Sequence, residues 1–290
     1  MKIKTCLPIG KISNFQLYKL IGILALFLLL FGSYKCYRYF HPKYIPLPPR
    51  AEVTLTIIPG WDLRDVAKYL VDKKLASSTA DVYAITGEPA RKYKVSEEIF
   101  SFGPSDDLLG QKPFGLSMEG YLAPETVRVF ADSDLVSVID KFYFIRKDQL
   151  TPDILNKVKA SKKSLHEILI LASILEKEVR NIEDKKLVAD IFWRRLEKNW
   201  ALQADSTVHY VVAKEGNVYT TAKDRQVDSL WNTYKYPGLP PSPICNPGLD
   251  SIKATLEPTK NSYWYFLTSS DGTVHYAKTL EEHNTNKIHL

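Results

Sequence analysis

The sequence predicts an α+β protein in which a single N-terminal transmembrane helix precedes two folded units. Three observations lead to this prediction. Residues 20–31 form an unbroken apolar run, residues 53–58 alternate as a β-strand does, and apolar residues recur at helical spacing after residue 164. The 290-residue chain is 45% hydrophobic and 25% charged, which excludes a disordered or low-complexity protein.

The apolar run near the N-terminus, Leu20–Phe31, reads LIGILALFLLLF. It is shorter than the roughly 20 residues that a membrane span needs, but Lys19 and Lys35 can extend their charges to the interface. The residues that follow offer no small-x-small cleavage site, which argues against a signal peptide. We therefore predict a transmembrane helix at residues 20–35, behind a cytoplasmic tail at residues 1–19.

The net charge of +6 is concentrated before residue 36. Five of the 39 basic residues lie there without an acidic residue, which leaves 34 basic residues against 33 acidic ones in the rest of the chain. A lysine-rich tail favours a cytoplasmic N-terminus, so we expect a single-pass protein of the cytoplasmic membrane with its folded units outside. The nearly neutral remainder excludes a broad surface for nucleic acid, so we predict no nucleic-acid partner.

Cysteine and histidine spacing gives no sign of a metal site or a disulfide scaffold. The three cysteines lack CxxC spacing, and the six histidines follow no pattern of metal ligands. We therefore predict that the protein uses neither a metal ion nor another cofactor.

A proline-rich segment separates the anchor from the first folded unit. Residues 36–50 end in HPKYIPLPPR, whose four prolines predict an extended spacer. Residues 51–110 then read as a small α+β unit, with a strand at Val53–Ile58 and a helix at Asp62–Lys74. A stretch rich in Gly, Ser, Asp and Pro at residues 101–115 predicts a loop or linker after it.

A larger unit is predicted over residues 116–290. A Ser-x-x-Glu capping box at residues 164–167 opens an apolar helix at 165–180. A second helix is expected at 183–198, and two short β-rich stretches joined by Ser-Ser-Asp-Gly predict a hairpin within 263–278.

Glu176 is the candidate catalytic residue, because helical periodicity places it on an aliphatic stripe. The other members of that stripe are Leu165, Leu169, Ala172 and Val179. A carboxyl among aliphatic side chains loses hydration, which favours the protonated form that a general acid needs. Glu178 lies well around the helix, so the two acids are not side by side. The structural alternative is an ion pair between Glu176 and a buried arginine, Arg194 or Arg195.

Several segments, read in order, carry a resemblance to a known family. They are MEGYLAPET (118–126), LASILEKEV (171–179), FWRRLEKNWALQADSTVHY (192–210), WNTYKYPGLPPSPICNPG (231–248), SIKATLEP (251–258), YWYF (263–266) and HYAKTLEEHN (275–284). Together they resemble the YceG-like endolytic murein transglycosylases, which are membrane-anchored bacterial proteins that cut peptidoglycan glycan strands outside the cytoplasmic membrane. The match covers most of residues 116–290.

The resemblance implies that residues 116–290 are a catalytic domain with Glu176 as its acid. It implies a set of residues that contact the glycan, namely Gln203, Asp205, Thr207, Asn232, Tyr234, Glu119 and Tyr121. It also implies that residues 51–110 are a LysM-like subdomain, whose second helix and further strands look shortened or absent. The chain departs from the family pattern at Val179, Arg194 and Ser206, where Thr, Asn and Pro are usual.

The implied reaction needs one acid and no water. Glu176 would protonate the glycosidic oxygen between MurNAc and GlcNAc and then accept the proton of the MurNAc C6 hydroxyl, which leaves a 1,6-anhydroMurNAc end. Glycan strands are the implied partner, with peptidoglycan synthases as a further candidate. One alternative is a muramidase in which Asp205 activates water, although Asp205 also suits a helix N-cap or a turn. The other alternative is a non-catalytic glycan-binding scaffold.

Overall fold

The computed structural model describes residues 13–42, 49–94, 112–213 and 220–289. By its internal contacts the chain forms two units, Met1–Pro49 and Arg50–Leu290.

The first unit is helix α1, Asn14–Phe40, which begins after the N-cap Ser13. Its 27 residues are all exposed, and its best window has a mean hydropathy of 2.0. Among the described residues, it is the one helix that is long and apolar enough to cross a membrane. At 1.5 Å per residue it is about 40 Å long, which exceeds the roughly 30 Å of a bilayer core.

Helix α1 extends beyond the predicted span of 20–35 at both ends. An apolar run marks only the part suited to lipid, whereas helical hydrogen bonds continue through the polar and aromatic residues beside it. The first five residues of the predicted spacer, 36–40, therefore belong to the helix, which ends at Phe40. Residues 43–48 of that spacer and residues 1–12 of the tail lie outside the described residues.

The second unit begins with two strands that pair over a long sequence separation. Strand β1, Glu52–Thr56, runs antiparallel to strand β2, Thr126–Phe130, with Leu55 opposite Val127. The sequence predicted separate folded units at residues 51–110 and 116–290. Because β2 comes after residue 116, this pairing crosses that predicted boundary. The loop expected at residues 101–115 is described only from residue 112 onward.

Two helices lie between these strands in the described part of the sequence. Helix α2, Leu63–Asp72, starts with a capping box of Asp62 and Asp65, and its buried residues are Leu63, Val66, Ala67 and Leu70. Helix α3, Thr79–Thr86, starts with a second capping box. Helix α3 has eight residues, and β2 follows it in the described part of the chain. The structure describes a β-α-α-β arrangement here, and a LysM identity stays a prediction.

The remainder is mainly helical and packs around a central helix, α6. The elements are α4 Leu135–Gln149, α5 Pro152–Ser161, α6 Leu165–Glu178, α7 Ile182–Glu197, α8 Asp205–Val212, α9 Leu249–Leu256, β3 Tyr265–Thr268, β4 Val274–Ala277 and α10 Leu280–Asn286, with 3₁₀ turns at Asp224–Gln226 and Lys287–His289. Helix α6 has the predicted capping box, and every residue from Leu165 to Leu175 except Glu167 is buried. It packs against α5, α7, α8 and α9.

One hydrophobic core connects the two parts of the second unit. It runs from Leu55 on β1 through α2 to the buried residues of α6 and Ile252 on α9. The β-α-α-β part is therefore fixed against the helical part by shared apolar burial rather than joined through a free linker.

Candidate active site

The candidate acid, Glu176, lies in the last turn of α6 with 12% of its side-chain surface exposed. Its Oε1 atom lies 3.2 Å from the Nζ atom of Lys185. Its Oε2 atom accepts hydrogen bonds from the backbone N–H of Gly248, at 3.0 Å, and from the Ser251 hydroxyl, at 2.5 Å. Both carboxyl oxygens are thus held by groups from two other helical segments, so the geometry of the acid is fixed before any substrate arrives.

The aliphatic stripe of α6 on which the sequence placed Glu176 is buried as expected, but the Glu176 carboxyl group lies outside that stripe. The aliphatic members Leu165, Leu169, Ala172 and Val179 are all buried. The longer Glu176 side chain reaches past them to the N-terminus of α9, where Gly248 is an N-cap residue without a side-chain cap. A carboxylate at that position satisfies a free N–H and faces the positive end of the helix dipole.

The ion pair expected between Glu176 and an arginine is wrong in its partner, which is Lys185. Arg194 bonds to Asp190, and Arg195 donates to backbone carbonyl oxygens. Residues 179–181 form a short connection that brings the beginning of α7 beside the end of α6. Arg194 lies nine residues further along α7 than Lys185, about 14 Å away at 1.5 Å per residue.

A turn from the β-α-α-β part forms one wall beside Glu176. The backbone oxygen of Gly60 accepts a hydrogen bond from Lys177 Nζ at 3.3 Å, and a Cβ atom on Gly60 would lie 3.8 Å from Glu176 Cγ. Pro59 packs against Gly248. Gly60 has a φ of +89°, which favours glycine, so the Pro-Gly pair suits this turn.

Buried Asn246 joins this turn to the segment that holds the acid. Its Oδ1 atom accepts hydrogen bonds from the N–H groups of Gly120 and Leu122, both at 3.1 Å. Its backbone N–H donates to Trp61 O at 2.8 Å, and its backbone oxygen accepts from Gly60 N at 3.0 Å. Three chain segments therefore meet at Asn246, two residues before the N–H that binds Glu176.

Buried Arg146 supports the same loop from behind. Its Nη2 atom donates to Leu122 O at 3.0 Å and to Pro247 O at 2.5 Å. Burial lowers the pKa of Arg146 to about 10. Sequence reasoning missed Lys185, Asn246 and Arg146, because their roles depend on contacts between distant segments.

A second polar network surrounds Asp205 at the start of α8. Its Oδ1 atom accepts hydrogen bonds from the hydroxyls of Tyr234 and Thr220, both at 2.6 Å, and lies 3.7 Å from Arg225 Nε. Ala204 takes the N-cap position of α8, so Asp205 is the first helical residue rather than the cap. Burial and the bond to Asp205 both raise the pKa of Tyr234.

Glu178 belongs to the side of α6 that faces α8. Its Oε1 atom accepts from the Ser206 hydroxyl at 2.7 Å and from the Ser206 N–H at 3.2 Å. Burial raises the pKa of Glu178. The expectation that Glu176 and Glu178 are not side by side is therefore confirmed, since they bond to different helices.

Comparison with known proteins identifies the family. The model of the YceG-like family matches residues 42–289. The chain belongs to the YceG-like family. A crystal structure of a YceG-like protein from Listeria monocytogenes superposes with a TM-score of 0.66 at 31% identity, covering 82% of this chain and 76% of that one.

Two curated relatives are named endolytic murein transglycosylase. The one from Bacillus subtilis is 39% identical over 171 residues, which is 59% of this chain and 47% of the relative. The one from Streptococcus pneumoniae D39 is 30% identical over 243 residues, which is 80% of this chain and 44% of the relative. This YceG-like chain thus spans about half the length of the curated relatives that it matches.

Two residues that the family resemblance placed at the glycan are buried near the β-α-α-β part. Glu119 accepts hydrogen bonds from Leu63 N–H at 3.1 Å and from the Tyr210 hydroxyl at 3.2 Å, and burial raises its pKa well above the usual range. The Tyr121 hydroxyl lies 2.8 Å from His166 Nδ1. Both side chains are fully buried in this structure, and contact between them and the glycan stays a prediction.

Thr207 and Asn232 are also buried, on the Asp205 side of this YceG-like fold. The Thr207 hydroxyl donates to Ala204 O at 2.7 Å. The Asn232 amide donates to Arg225 O at 3.0 Å and to Val227 O at 2.9 Å. The polar atoms of both residues therefore hold loops in place, and their contact with the glycan also stays a prediction.

Three of the predicted contacts keep exposed surface. Gln203 is exposed, with a φ of +53° and its N–H bonded to Thr233 O at 3.2 Å. Asp205 has 40% of its side-chain surface exposed, and Tyr234 is partly exposed. Together with Glu176, these are the predicted residues that a ligand could reach.

Proposed function

We propose that this chain is an endolytic peptidoglycan transglycosylase in which Glu176 is the general acid and base. The observation that carries the proposal is the Glu176 carboxyl, which is partly exposed and fixed by Lys185, Gly248 and Ser251. The YceG-like family and the activity in the names of its curated relatives support the substrate class.

In the proposed reaction Glu176 gives its proton to the oxygen that links C1 of MurNAc to GlcNAc. That oxygen keeps the electron pair of the broken bond. The C6 hydroxyl of the same MurNAc then bonds to C1 and returns its proton to Glu176, which leaves a 1,6-anhydroMurNAc end. An intramolecular nucleophile has a high effective concentration, so a second carboxylate is not required, whereas most glycosidases use two.

The location of Asp205 favours a secondary, non-catalytic role for this residue in the reaction. Its Oδ1 atom is engaged by Tyr234 and Thr220, and no contact joins it to Glu176 in the described residues. Its exposure still makes it the candidate base for the alternative, a muramidase that uses water.

The test is mass spectrometry of glycan fragments released by the purified full chain in detergent, with Glu176→Gln in parallel. We expect anhydro-ended fragments from the wild type and none from the variant. Reducing ends would contradict the transglycosylase and favour the muramidase. Fragments from neither protein, with glycan binding retained, would favour a non-catalytic scaffold.

We also propose that α1 anchors the chain in the cytoplasmic membrane with its lysine-rich end inside. The glycan substrate lies outside, where the peptidoglycan synthases would be neighbours. Protease added to spheroplasts should digest the second unit and spare α1. Protection of the second unit would contradict this orientation.

A further inference from the structure

Lys185 keeps its ammonium against the candidate acid rather than in solvent. Only 6% of its side-chain surface is exposed, and its Nζ atom lies 3.2 Å from Glu176 Oε1. A lysine ammonium is strongly hydrated and is rarely buried without a partner. Its neighbour Lys186 shows the ordinary arrangement, with a pair to Glu183 at 2.9 Å and 29% exposure. The position of Lys185 is therefore unlike that of a surface lysine on the same turn.

The two oxygens of Glu176 have different surroundings. Oε2 already accepts two hydrogen bonds, from Gly248 N–H and the Ser251 hydroxyl, which fix it at the N-terminus of α9. Oε1 has Lys185 as its partner. Transfer of a proton from Oε1 to a substrate therefore breaks fewer of these hydrogen bonds than transfer from Oε2 would. Lys185 is the group that determines where Oε1 points.

We propose that Lys185 is a positioning residue for the reaction of Glu176. Its ammonium directs Oε1 and stabilises the carboxylate that forms when the proton leaves. This inference rests on the proposed function. The proton passes from Glu176 Oε1 to the glycosidic oxygen and is replaced by the proton of the C6 hydroxyl, so Lys185 keeps its own protons throughout.

A purely structural ion pair would behave differently. Breaking it would lower the stability of the whole fold, and the remaining folded enzyme would turn over normally. A positioning role instead lowers kcat in the folded enzyme, while KM changes little because the glycan does not bind to Lys185.

The experiment measures kcat and KM for release of anhydro-ended fragments by the full chain in detergent, with thermal unfolding in parallel. We expect Lys185→Met to lower kcat about 100-fold with KM within about twofold, within the range of acid–base contributions. Lys185→Arg should return kcat to within about tenfold of wild type, because it keeps the charge. Lys186→Met is the matched control and should leave both constants unchanged.

The inference is overturned if the kcat of Lys185→Met lies within about threefold of wild type. It is also overturned if the kcat of Lys185→Arg is no higher than that of Lys185→Met. If Lys185→Met does not unfold cooperatively, Lys185→Leu replaces it under the same thresholds, since it also removes the ammonium that donates to Oε1. Activity in Glu176→Gln overturns the proposed function itself. An inactive Glu176→Gln beside an active Lys185→Met overturns only the role of Lys185.

Discussion

The two acidic networks at the end of α6 differ in how firmly they hold their exposed carboxyl group. Glu176 is 12% exposed and bonded by a buried cation, a helix N–H and a buried serine. Asp205 is 40% exposed, with two hydroxyl donors on one oxygen and an arginine at 3.7 Å. The difference suits one acid that carries out chemistry and one that organises a neighbouring loop.

Each network also contains a buried asparagine. Asn246 fixes the loop before α9 and the turn beside Glu176, whereas Asn232 fixes the loop that carries Tyr234. This symmetry allows the comparison to be tested with matched substitutions on the two sides.

The largest expected effect is that of Glu176→Gln. Without a carboxyl proton, the rate of anhydro-end formation should fall at least about 10³-fold, as expected for loss of the only acid. Thermal unfolding checks that the fold is kept. Activity within about tenfold of wild type would contradict the role of Glu176 as the general acid.

Asp205→Asn should have a much smaller effect on the same rate, about tenfold or less, because the amide oxygen can still accept from Tyr234. Tyr234→Phe, which removes that donor, is the matched control and should behave similarly. A loss as large as that of Glu176→Gln would instead make Asp205 a second catalytic carboxylate, and reducing ends in the products would identify it as the base.

Asn246→Ala and Asn232→Ala should destabilise the protein similarly and yet separate in activity. Asn246→Ala leaves the buried N–H groups of Gly120 and Leu122 without an acceptor, at about 1–3 kcal/mol each. Urea unfolding measures the stability of both variants. We expect kcat measured well below the unfolding transition to fall further in Asn246→Ala, and equal losses would contradict separate functions for the two sides.

A smaller expected effect concerns Glu178 and the pH dependence of stability. Burial raises the pKa of Glu178 in the folded state, so its protonated form stabilises the fold at low pH. That stability is lost as pH rises from the unfolded pKa of about 4.3 through the higher folded value. Glu178→Gln should therefore gain stability relative to wild type as pH rises from about 4 to 7. A constant difference in Tm across this range would contradict it.

Gly120 offers a check on the connection between the two parts of the fold. A Cβ atom there would lie 2.6 Å from Pro243, and its φ is +83°. Gly120→Ala should lower the free energy of unfolding by more than about 1 kcal/mol in urea titrations. An unchanged midpoint would show that this contact can relax.

The burial of Glu119 shows where sequence reasoning ended. Its segment, MEGYLAPET, marks the family, but burial follows from contact with the N-terminus of α2 and with Tyr210 on α8. Those partners are 56 and 91 residues away in sequence. Periodicity reports only neighbours on the same helix or strand, so it could not show that the Glu119 side chain is buried.

Local spacing and ordered motifs were enough to predict the apolar helix near the N-terminus, the capped helix α6, the aliphatic stripe and the family. Three contacts became visible only in the folded chain: β1 pairs with β2, Lys185 rather than an arginine faces Glu176, and Asn246 links the turn at Gly60 to the loop before α9. Local patterns could not give them, because each joins separate segments that are brought together by burial of a shared core. Hydrogen-bond partners are then chosen among the groups that burial leaves within reach.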